Sequence, residues 1–500
     1  MAASSKAICA ISAEVLPCSS TKRSDVTTVA SVLQKSSLQR NDQGLFATFY
    51  GDDFTGSTDV MESFVRSGRS CVLYLDVPDR AEIDHLDSVD VIGVAGLSRS
   101  WSPAEMLEKL PPILAGLRSF GAPVFHYKIC STFDSAPQMG SIGCALEIVR
   151  EIFGTQPIPL VIGAPILKRY TAFGNLFAAA DGKIHRIDRH PTMASHSVTP
   201  MSESDLRIHL SYQSNLSGGL IDVVELGLPQ DQVDDRVDSE LAKEHGYVLF
   251  DVLDDQSQRQ TGRQLSRLIS ARWEEDSAST VIFGSSGVEY ALATQWHTVD
   301  LAQENKTKSQ VPTIAPAVTL VVTGSRSPVT DAQTKFALEQ GFREISVDPE
   351  RFLASESEVK AYRQILVDAI KESLNSSQNT IVTTPPKRAE VPISGNALAR
   401  ELSYLVKDVS QTTTLTRLVV AGGDTSGHVA RSLDIHSLRI LALLTPGAPL
   451  CEASFLGSGS PKLQVCLKGG QVGPVEYFVQ LAGLLNQKNL TTTLQERALP

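Results

Sequence analysis

The stretch LFATFYGDDFTGSTDVMESFVRSG, residues 45–68, joins an apolar run, a helix-length amphipathic segment and, between them, a turn with Asp52 and Asp53, which we call the acidic turn. Similar apolar runs, most of them separated by helical patterns, follow at SCVLYLD (70–76), DVIGVAG (90–96), VFHYKIC (124–130) and IPLVIGAPI (158–166). Alternating strand and helix patterns are typical of βαβ units. The sequence therefore predicts an α/β fold with a mostly parallel sheet.

A second α/β series begins after the polar segment at 300–317, which contains two prolines and is the best candidate for a linker. We therefore expect two open, mostly parallel-sheet α/β domains that face a cleft. The first domain is predicted at 44–305 and the second at 306–500. Residues 1–43 are rich in Ser and Thr and are interpreted as a mobile extension, with a transit peptide as the alternative.

The composition restricts the class of partner. The chain has 500 residues, a formal net charge of −11 and no block of basic residues, so neither nucleic acid nor an anionic membrane is expected as a partner. No apolar run approaches the roughly 18 residues of a membrane span. Seven cysteines are scattered without a C-x-x-C pair. This favours free thiols in a reducing compartment and predicts a cytoplasmic protein.

Polar side chains follow three predicted strands of the first series. Asp52 and Asp53 follow the first strand, and because neighbouring side chains of an extended segment point in opposite directions, they should have separate roles. One could cap the next helix, and the other could face the cleft as a base or hydroxyl acceptor. The remaining polar candidates at these strand ends are Arg99, Lys128, Ser131 and Asp134. Together they predict a polar, partly cationic pocket that suits a carboxylate.

Gly-rich turns follow three of the four predicted strands of the second series, in VTLVVTGSRSP (318–328), TRLVVAGGDTSG (416–427) and LQVCLKGGQVG (463–473). Helix N-termini after such turns bind anions, so the turns favour phosphate binding over simple tight turns. The P-loop, the complete G-x-G-x-x-G and the G-x-S-x-G motifs are absent from the sequence. The histidines of IHRIDRHPTMASH (184–196) match no metal spacing, and Arg189 in that segment is a predicted anion contact.

In their order along the chain, these segments resemble the four-carbon acid sugar kinase family. The motifs that carry the resemblance are FYGDDFTGSTD (49–59), YKICSTFDS (127–135), VIGAPILKRYTAFGNLFA (161–178), IDRHPTMASHSVTPM (187–201), GSSGVEYAL (284–292), TGSRSPVT (323–330), AGGDTSGHVARSL (421–433), TPGAPL (445–450) and LKGGQVGPVEYF (467–478). The resemblance implies an acid-sugar domain followed by a nucleotide domain. It also implies ATP-dependent phosphorylation of the 4-hydroxyl of a tetronate or 3-oxo-tetronate.

The resemblance also implies which residues contact ATP. Carried over by motif, these are Ser325, Ser327, Gly422, Gly423, Asp424, Thr425 and Gly470. The family's SGSCSP is TGSRSP in this chain, so Arg326 is a departure that could add a phosphate contact. We expect Mg²⁺ to be shared between the ATP phosphates, with protein ligands that the sequence does not identify.

Phosphoryl transfer requires positioning, charge neutralisation and an in-line hydroxyl. We expect Arg99 and Lys128 to hold the substrate carboxylate. Asp53 is the first candidate for accepting the hydroxyl proton, and Asp134 is the second. The further predicted substrate contacts are Asp52, Thr55, Ser131 and Arg189. The expected partners are a small acid sugar and ATP, and a homodimer is a further expectation. The alternatives are a kinase for glycerate or another short hydroxy acid, and a non-catalytic two-lobed binding protein.

Overall fold

The computed structural model describes residues 44–86, 89–154, 156–180, 182–196, 198–296, 314–325, 327–384, 393–457 and 462–484. We call the described residues 44–296 the N-terminal lobe and 314–484 the C-terminal lobe. The predicted extension at 1–43, the predicted domain boundary at 305/306 and Arg326 lie outside the described residues. No helix in the described parts of the chain has the length and apolar character that crossing a membrane requires.

The N-terminal lobe alternates strands and helices along most of its length. Its strands are β1 (Ala47–Gly51), β2 (Cys71–Tyr74), β3 (Val91–Ala95), β4 (Val124–Lys128), β5 (Ile158–Val161), β6 (Arg169–Ala172), β7 (Asn175–Ala180), β8 (Lys183–Arg186), β9 (Gly218–Ile221), β10 (Tyr247–Phe250) and β11 (Thr280–Gly284). Its helices are α1 (Phe54–Arg66), α2 (Arg80–Asp84), α3 (Pro103–Ser119), α4 (Ile142–Phe153), α5 (Leu206–Ser211), α6 (Gln230–Leu241), α7 (Asp255–Asp276) and α8 (Gly287–Trp296).

The C-terminal lobe has the same alternation, interrupted by one antiparallel hairpin. Its strands are β12 (Thr319–Thr323), β13 (Arg343–Ser346), β14 (Thr380–Thr383), β15 (Arg417–Ala421), β16 (Ile435–Ala442), β17 (Leu450–Phe455) and β18 (Leu463–Lys468). Its helices are α9 (Pro328–Glu339), α10 (Glu356–Asn375), α11 (Gly395–Thr412), α12 (Gly423–Ser432) and α13 (Tyr477–Leu481). The predicted α/β class with mostly parallel strands is confirmed.

The two lobes share one 15-stranded sheet, in the order β13-β14-β12-β15-β18-β17-β16-β2-β3-β1-β4-β11-β5-β10-β9. All pairings are parallel except those that involve β16 and β17. The lobes meet where β16 pairs antiparallel with β2, through Ser437 opposite Tyr74 and Leu438 opposite Leu73. Strands β6, β7 and β8 form a separate antiparallel sheet. Backbone hydrogen bonds therefore continue from one lobe into the other.

The strand register brings the polar strand ends together. Gly51, at the end of β1, is opposite Ala95 of β3 and Lys128 of β4. In the C-terminal lobe, Ala421 of β15 is opposite Thr323 of β12 and Lys468 of β18. Ligands of open α/β sheets bind at this carboxyl edge, where the following helices begin. Each lobe packs an apolar core beneath that edge.

Candidate functional site

The guanidinium of Arg99 binds both carboxylates of the acidic turn. Its Nε and Nη2 atoms donate to Asp52 over 3.1 and 2.6 Å. Its Nη1 and Nη2 atoms donate to Asp53 over 2.7 and 2.9 Å. Burial raises the pKa of Asp52, and the charge of Arg99 opposes this effect. Arg99, which the sequence assigned to the substrate carboxylate, thus uses most of its donors on Asp52 and Asp53 in this structure.

Asp53 also caps helix α1, so the cap and the exposed position, which the sequence analysis assigned to different aspartates, belong to the same residue. Its Oδ1 accepts the backbone N–H of Gly56 over 2.9 Å, an interaction that contributes about 1 kcal/mol to helix stability. The Asp53 side chain keeps 26% of its surface exposed, whereas Asp52 keeps 6%. Asp53 is therefore the carboxylate that a substrate can reach from the strand edge.

Lys128 lies beneath the first turn of α1. Its Nζ donates to the carbonyl of Ile129 over 3.0 Å, and the side chain is buried. A Cβ on Gly56 would stand 2.8 Å from this Nζ atom, so glycine leaves the space that the ammonium fills. Lys128 is near both Asp52 and Asp59, whose pKa values burial raises and Lys128 lowers. The ammonium thus neutralises buried carboxylates behind the site.

The loop after β4 is held in a constrained conformation. Phe133 has a φ of +61° although its ring is buried in the core, and left-handed backbone at a bulky residue is costly. Ser135 accepts from Gln213 over 2.9 Å and contacts His209 over 3.0 Å. These bonds fix the loop that carries the predicted residues Ser131 and Asp134, which are both partly exposed.

Asp134 accepts the Thr132 hydroxyl over 2.9 Å. Thr132 Oγ1 also lies 3.0 Å from Cys130 Sγ. Burial raises the pKa of Cys130 to about 11, with Asp134 raising it further and Arg99 lowering it. Cys130 is therefore a neutral thiol between Arg99 and Asp134. A protonated thiol is a weak nucleophile.

Arg169, the first residue of β6, was not among the predicted site residues. Burial lowers its pKa, and Cys130 and Asp134 are close enough to raise it. Arg169 therefore lies near the loop after β4. The sequence signal was a basic residue after a buried strand in GAPILKR (163–169), but the intervening turn concealed it.

Arg189, a predicted substrate contact, lies just after β8 of the separate antiparallel sheet. It is exposed at the end of a short 3-10 helix, Ile187–Arg189, that follows β8. Within the described ranges, no group of three or more His, Cys, Asp and Glu side chains could hold a metal ion. The histidines of this segment are therefore not assembled as a metal centre in that part of the chain.

The Gly-rich turns of the C-terminal lobe pack against one another. Gly422 has a φ of +135°, which an L-residue rarely adopts, and it begins α12 without a side-chain cap. A Cβ on Gly470 would overlap Ser325 Oγ, and one on Gly324 would overlap Thr425 Oγ1. The turns thus form a cradle of bare backbone, lined by the predicted nucleotide residues.

The other predicted nucleotide residues lie around this cradle. Ser327 caps α9 by accepting the N–H of Val329 over 3.2 Å. Gly423 and Asp424 are exposed at the start of α12. The uncapped N–H groups of a helix start attract phosphate. An exposed carboxylate beside them suits Mg²⁺, which usually takes one or two protein carboxylates and fills its other positions with phosphate and water.

Lys468 is a second residue that the predictions missed, although it lies within the LKGG motif. It is fully buried, and its Nζ donates to Gln333 Oε1 over 3.0 Å. Gln333 in turn donates to the carbonyls of Val472, Gly473 and Pro474, each over 3.0 Å. Burial lowers the pKa of Lys468 to about 8. Lys468 therefore braces the turn after β18 from inside.

Thr55 joins the two halves of the site. A Cβ on Gly423 would lie 3.4 Å from Thr55 Oγ1, and a Cβ on Gly469 would lie 3.9 Å from Thr55 Cγ2. Thr55 Oγ1 is buried and has no hydrogen-bond partner among the described residues. Nearby, Arg431 of α12 donates to the Ala95 carbonyl over 3.1 Å. The acidic turn and the Gly-rich turns are thus neighbours.

Two family models match the chain. A sugar-binding N-terminal domain matches residues 47–292, and a nucleotide-binding C-terminal domain matches residues 320–478. Two solved structures have the same architecture. Their sequence identities to this chain are below 25%, so the likeness shows the fold alone. A Salmonella typhimurium protein superposes with a TM-score of 0.70 at 23% identity, covering 87% of this chain and 98% of the other. A Haemophilus influenzae protein superposes with a TM-score of 0.64 at 22% identity, covering 88% of this chain and 100% of the other.

Sequence relatives with named activities cover nearly the same span. The chain is 40% identical over 453 residues to the 3-oxo-isoapionate kinase of Paraburkholderia graminis, which covers 87% of this chain and 93% of that protein. It is 26% identical over 442 residues to the 3-oxo-tetronate kinase of Pectobacterium atrosepticum, which covers 86% and 96%. The chain therefore belongs to the four-carbon acid sugar kinase family, whose members are phosphotransferases that act on a hydroxyl group of a sugar acid.

Proposed function

We propose that this chain uses ATP to phosphorylate the terminal hydroxyl of a small 3-oxo sugar acid, the 4-hydroxyl in a 3-oxo-tetronate. The relatives are named for two such substrates, 3-oxo-isoapionate and 3-oxo-tetronate. The 40% identity to the first makes 3-oxo-isoapionate a substrate to test beside the tetronates.

The contact of Thr55 with the Gly-rich turns is the observation that carries this proposal. Transfer between two bound molecules requires reacting atoms about 3–3.5 Å apart, and proximity of this kind lowers the barrier by several kcal/mol. Thr55 follows the acidic turn directly and lies within van der Waals distance of a Cβ position on Gly423. A sugar acid held at the acidic turn would therefore present its hydroxyl to a phosphate held at the start of α12.

On the sugar side, Asp53 is proposed to accept the proton of the attacking hydroxyl. Arg99 holds the Asp53 carboxylate in one orientation through its 2.7 and 2.9 Å bonds. A positioned base typically contributes about 10²–10⁴-fold to the rate. Asp134, which accepts from Thr132, remains the second candidate. In the proposal, Asp52 and Lys128 lie behind Asp53, where the negative charge of one offsets the positive charge of the other.

On the nucleotide side, the cradle around Gly422 and Gly470 is proposed to bind phosphates through backbone N–H groups. A Cβ on Gly470 would overlap Ser325, so glycine there lets the turns pack together, while Gly422, at a φ of +135°, and the exposed Gly423 leave the backbone at the start of α12 free of side chains. Asp424 is proposed to hold Mg²⁺ against the phosphates, where the ion would neutralise their charge. Thr55 is proposed to donate to the phosphate oxygens from the opposite lobe.

A coupled ATP-consumption screen over three- to six-carbon sugar acids tests the proposal. It should include glycerate, reduced and 3-oxo tetronates, and 3-oxo-isoapionate. We expect the highest kcat/KM on a 3-oxo acid, loss of turnover when EDTA removes Mg²⁺, and a product phosphorylated at the terminal carbon by ³¹P NMR. Preference for glycerate, or turnover of none of these acids, would contradict the proposal.

A further inference from the structure

Arg169 has donor capacity that the protein does not use. Its Nη1 donates to the carbonyls of Leu167 and Lys168, each over 3.1 Å. Its Nε is buried and has no hydrogen-bond partner among the described residues. Within those residues, no carboxylate lies within the 4.0 Å of an ion pair with it. The guanidinium thus keeps its charge partly buried without a paired anion.

The buried part of the guanidinium carries a cost in free energy that a bound anion would reduce. A buried cation loses hydration and normally recovers the free energy from an ion pair or charge-assisted hydrogen bonds. Burial lowers the pKa of Arg169, and the charge of Asp134 compensates only in part from a distance. A planar anion bound at the guanidinium would pair with this charge.

The other two cations of the site are already occupied. Arg99 forms four hydrogen bonds with Asp52 and Asp53, so a substrate carboxylate would have to displace one of them. Lys128 is buried beneath the first turn of α1. Of the three cations, Arg169 therefore combines an unused donor with proximity to the loop after β4.

The hairpin that carries Arg169 is fixed to the main sheet. Thr171 and Val252 exchange hydrogen bonds, with Thr171 N–H donating to the Val252 carbonyl over 2.9 Å and Val252 N–H donating to Thr171 Oγ1 over 2.7 Å. Gly174, in the β6–β7 turn, donates to Asp251 Oδ1 over 3.2 Å. The backbone of Arg169 is thereby held at a defined distance from the carboxyl edge of the sheet.

We infer that Arg169 binds the carboxylate of the sugar acid. This inference rests on the proposed function and assigns the carboxylate to Arg169 in place of Arg99 and Lys128. It makes Arg169 the residue that distinguishes a sugar acid from a neutral ketose of the same length.

The test compares 3-oxo-tetronate with erythrulose, in which a hydroxymethyl group replaces the carboxylate. The variants are Arg169→Gln and Arg169→Lys. Arg150→Gln is the matched control, because Arg150 also donates only to carbonyls, of Gln156, His245 and Gly246, and burial also lowers its pKa. It lies near the amino end of β10, at the edge opposite the site.

We expect Arg169→Gln to raise KM for 3-oxo-tetronate about 30- to 100-fold with a smaller change in kcat, because the lost contact is present before and during transfer. KM for erythrulose should stay within about threefold, so discrimination between the two substrates collapses. Arg169→Lys, which keeps the charge without the planar fork, should show an intermediate KM. Arg150→Gln should match the wild type.

Unchanged KM and unchanged discrimination in Arg169→Gln, with an active wild type, would overturn this inference and leave the proposed function intact. If Arg169→Gln does not fold, Arg169→Lys decides, and a wild-type KM in that variant overturns the inference. A wild-type enzyme inactive on every sugar acid would instead refute the proposed function itself.

Discussion

Glu62, on α1 of the N-terminal lobe, accepts a 2.7 Å hydrogen bond from the backbone N–H of Gly447 in the C-terminal lobe. Arg66, one turn further along α1, donates to the same carboxylate over 2.7 Å. The start of α1 carries the acidic turn and Thr55. One helix therefore bears the site and, two turns later, a bond that fixes the other lobe against it.

We predict that Glu62→Ala lowers both stability and turnover. The substitution leaves the partly buried N–H of Gly447 without its acceptor and Arg66 without its partner, a loss of about 1–3 kcal/mol. The melting temperature should fall, and kcat should fall severalfold because the lobes lose a fixed contact. Glu372→Gln is the control, since its pair with Arg343 is 69% exposed on the Glu side and such pairs contribute little. Equal effects of both variants would contradict the prediction.

Thr55→Val should separate stability from activity. The Thr55 hydroxyl is buried without a partner among the described residues, so its replacement by an isosteric methyl should leave the melting temperature unchanged or slightly higher. If the hydroxyl donates to the transferred phosphoryl group, kcat should fall about tenfold or more. Thr261→Val is the matched control, because Thr261 Oγ1 on α7 is likewise buried and unpartnered in that part of the structure. Unchanged kcat in Thr55→Val would remove Thr55 from the transfer site.

Asp53→Asn should abolish most of the turnover while the protein stays folded. Asparagine caps helices as well as aspartate does, so the bond from Gly56 should persist, and the melting temperature should fall only modestly because Arg99 loses its pair with Asp53 but keeps the one with Asp52. The proton acceptor is lost, and we expect kcat to fall about 10²–10⁴-fold with a smaller change in KM. A kcat within a factor of a few of the wild type would mean that Asp53 is not the base, and Asp134→Asn would then be the next variant.

The polar strand ends were predictable because parallel strands of a sheet finish at one edge. Asp52 and Arg99 follow β1 and β3, Lys128 is the last residue of β4, and the register places those three strand ends side by side. The same reasoning placed the Gly-rich turns, which follow β12, β15 and β18. The pattern did not predict which side chains pair at the carboxyl edge of the sheet, where Arg99 binds two carboxylates of its own lobe.

Arg169 was missed for a physical reason. Strand β7 reads NLFAAA (175–180) and lacks the alternation that identifies an exposed antiparallel strand, so the β6–β8 sheet has a weak sequence signal. The join of β2 to β16 was also not predicted, since a buried four-residue strand does not show in its sequence which neighbour it pairs with. Both features depend on tertiary packing that local periodicity does not encode.

Lys468 makes the stability of the protein depend on pH in a defined window. Its pKa is about 8 in the folded chain, against about 10.4 when exposed. Between these values the unfolded chain binds more protons, so the free energy of unfolding should rise with pH. The difference between the two pKa values means that, below pH 8, burying the charged ammonium lowers the free energy of unfolding by roughly 3 kcal/mol. Lys468→Met should remove that cost and the dependence.

The measurement is urea unfolding of the wild type and Lys468→Met at pH 7.5 and at pH 10. At pH 7.5 the variant should be more stable by about 1–3 kcal/mol, because the relieved charge exceeds the roughly 1 kcal/mol lost from the bond to Gln333. At pH 10 the difference should vanish or reverse. Lys335→Met on α9 is the control, since Lys335 is exposed and its charge is already hydrated. A constant offset between wild type and Lys468→Met at both pH values would show that Lys468 does not titrate in this window.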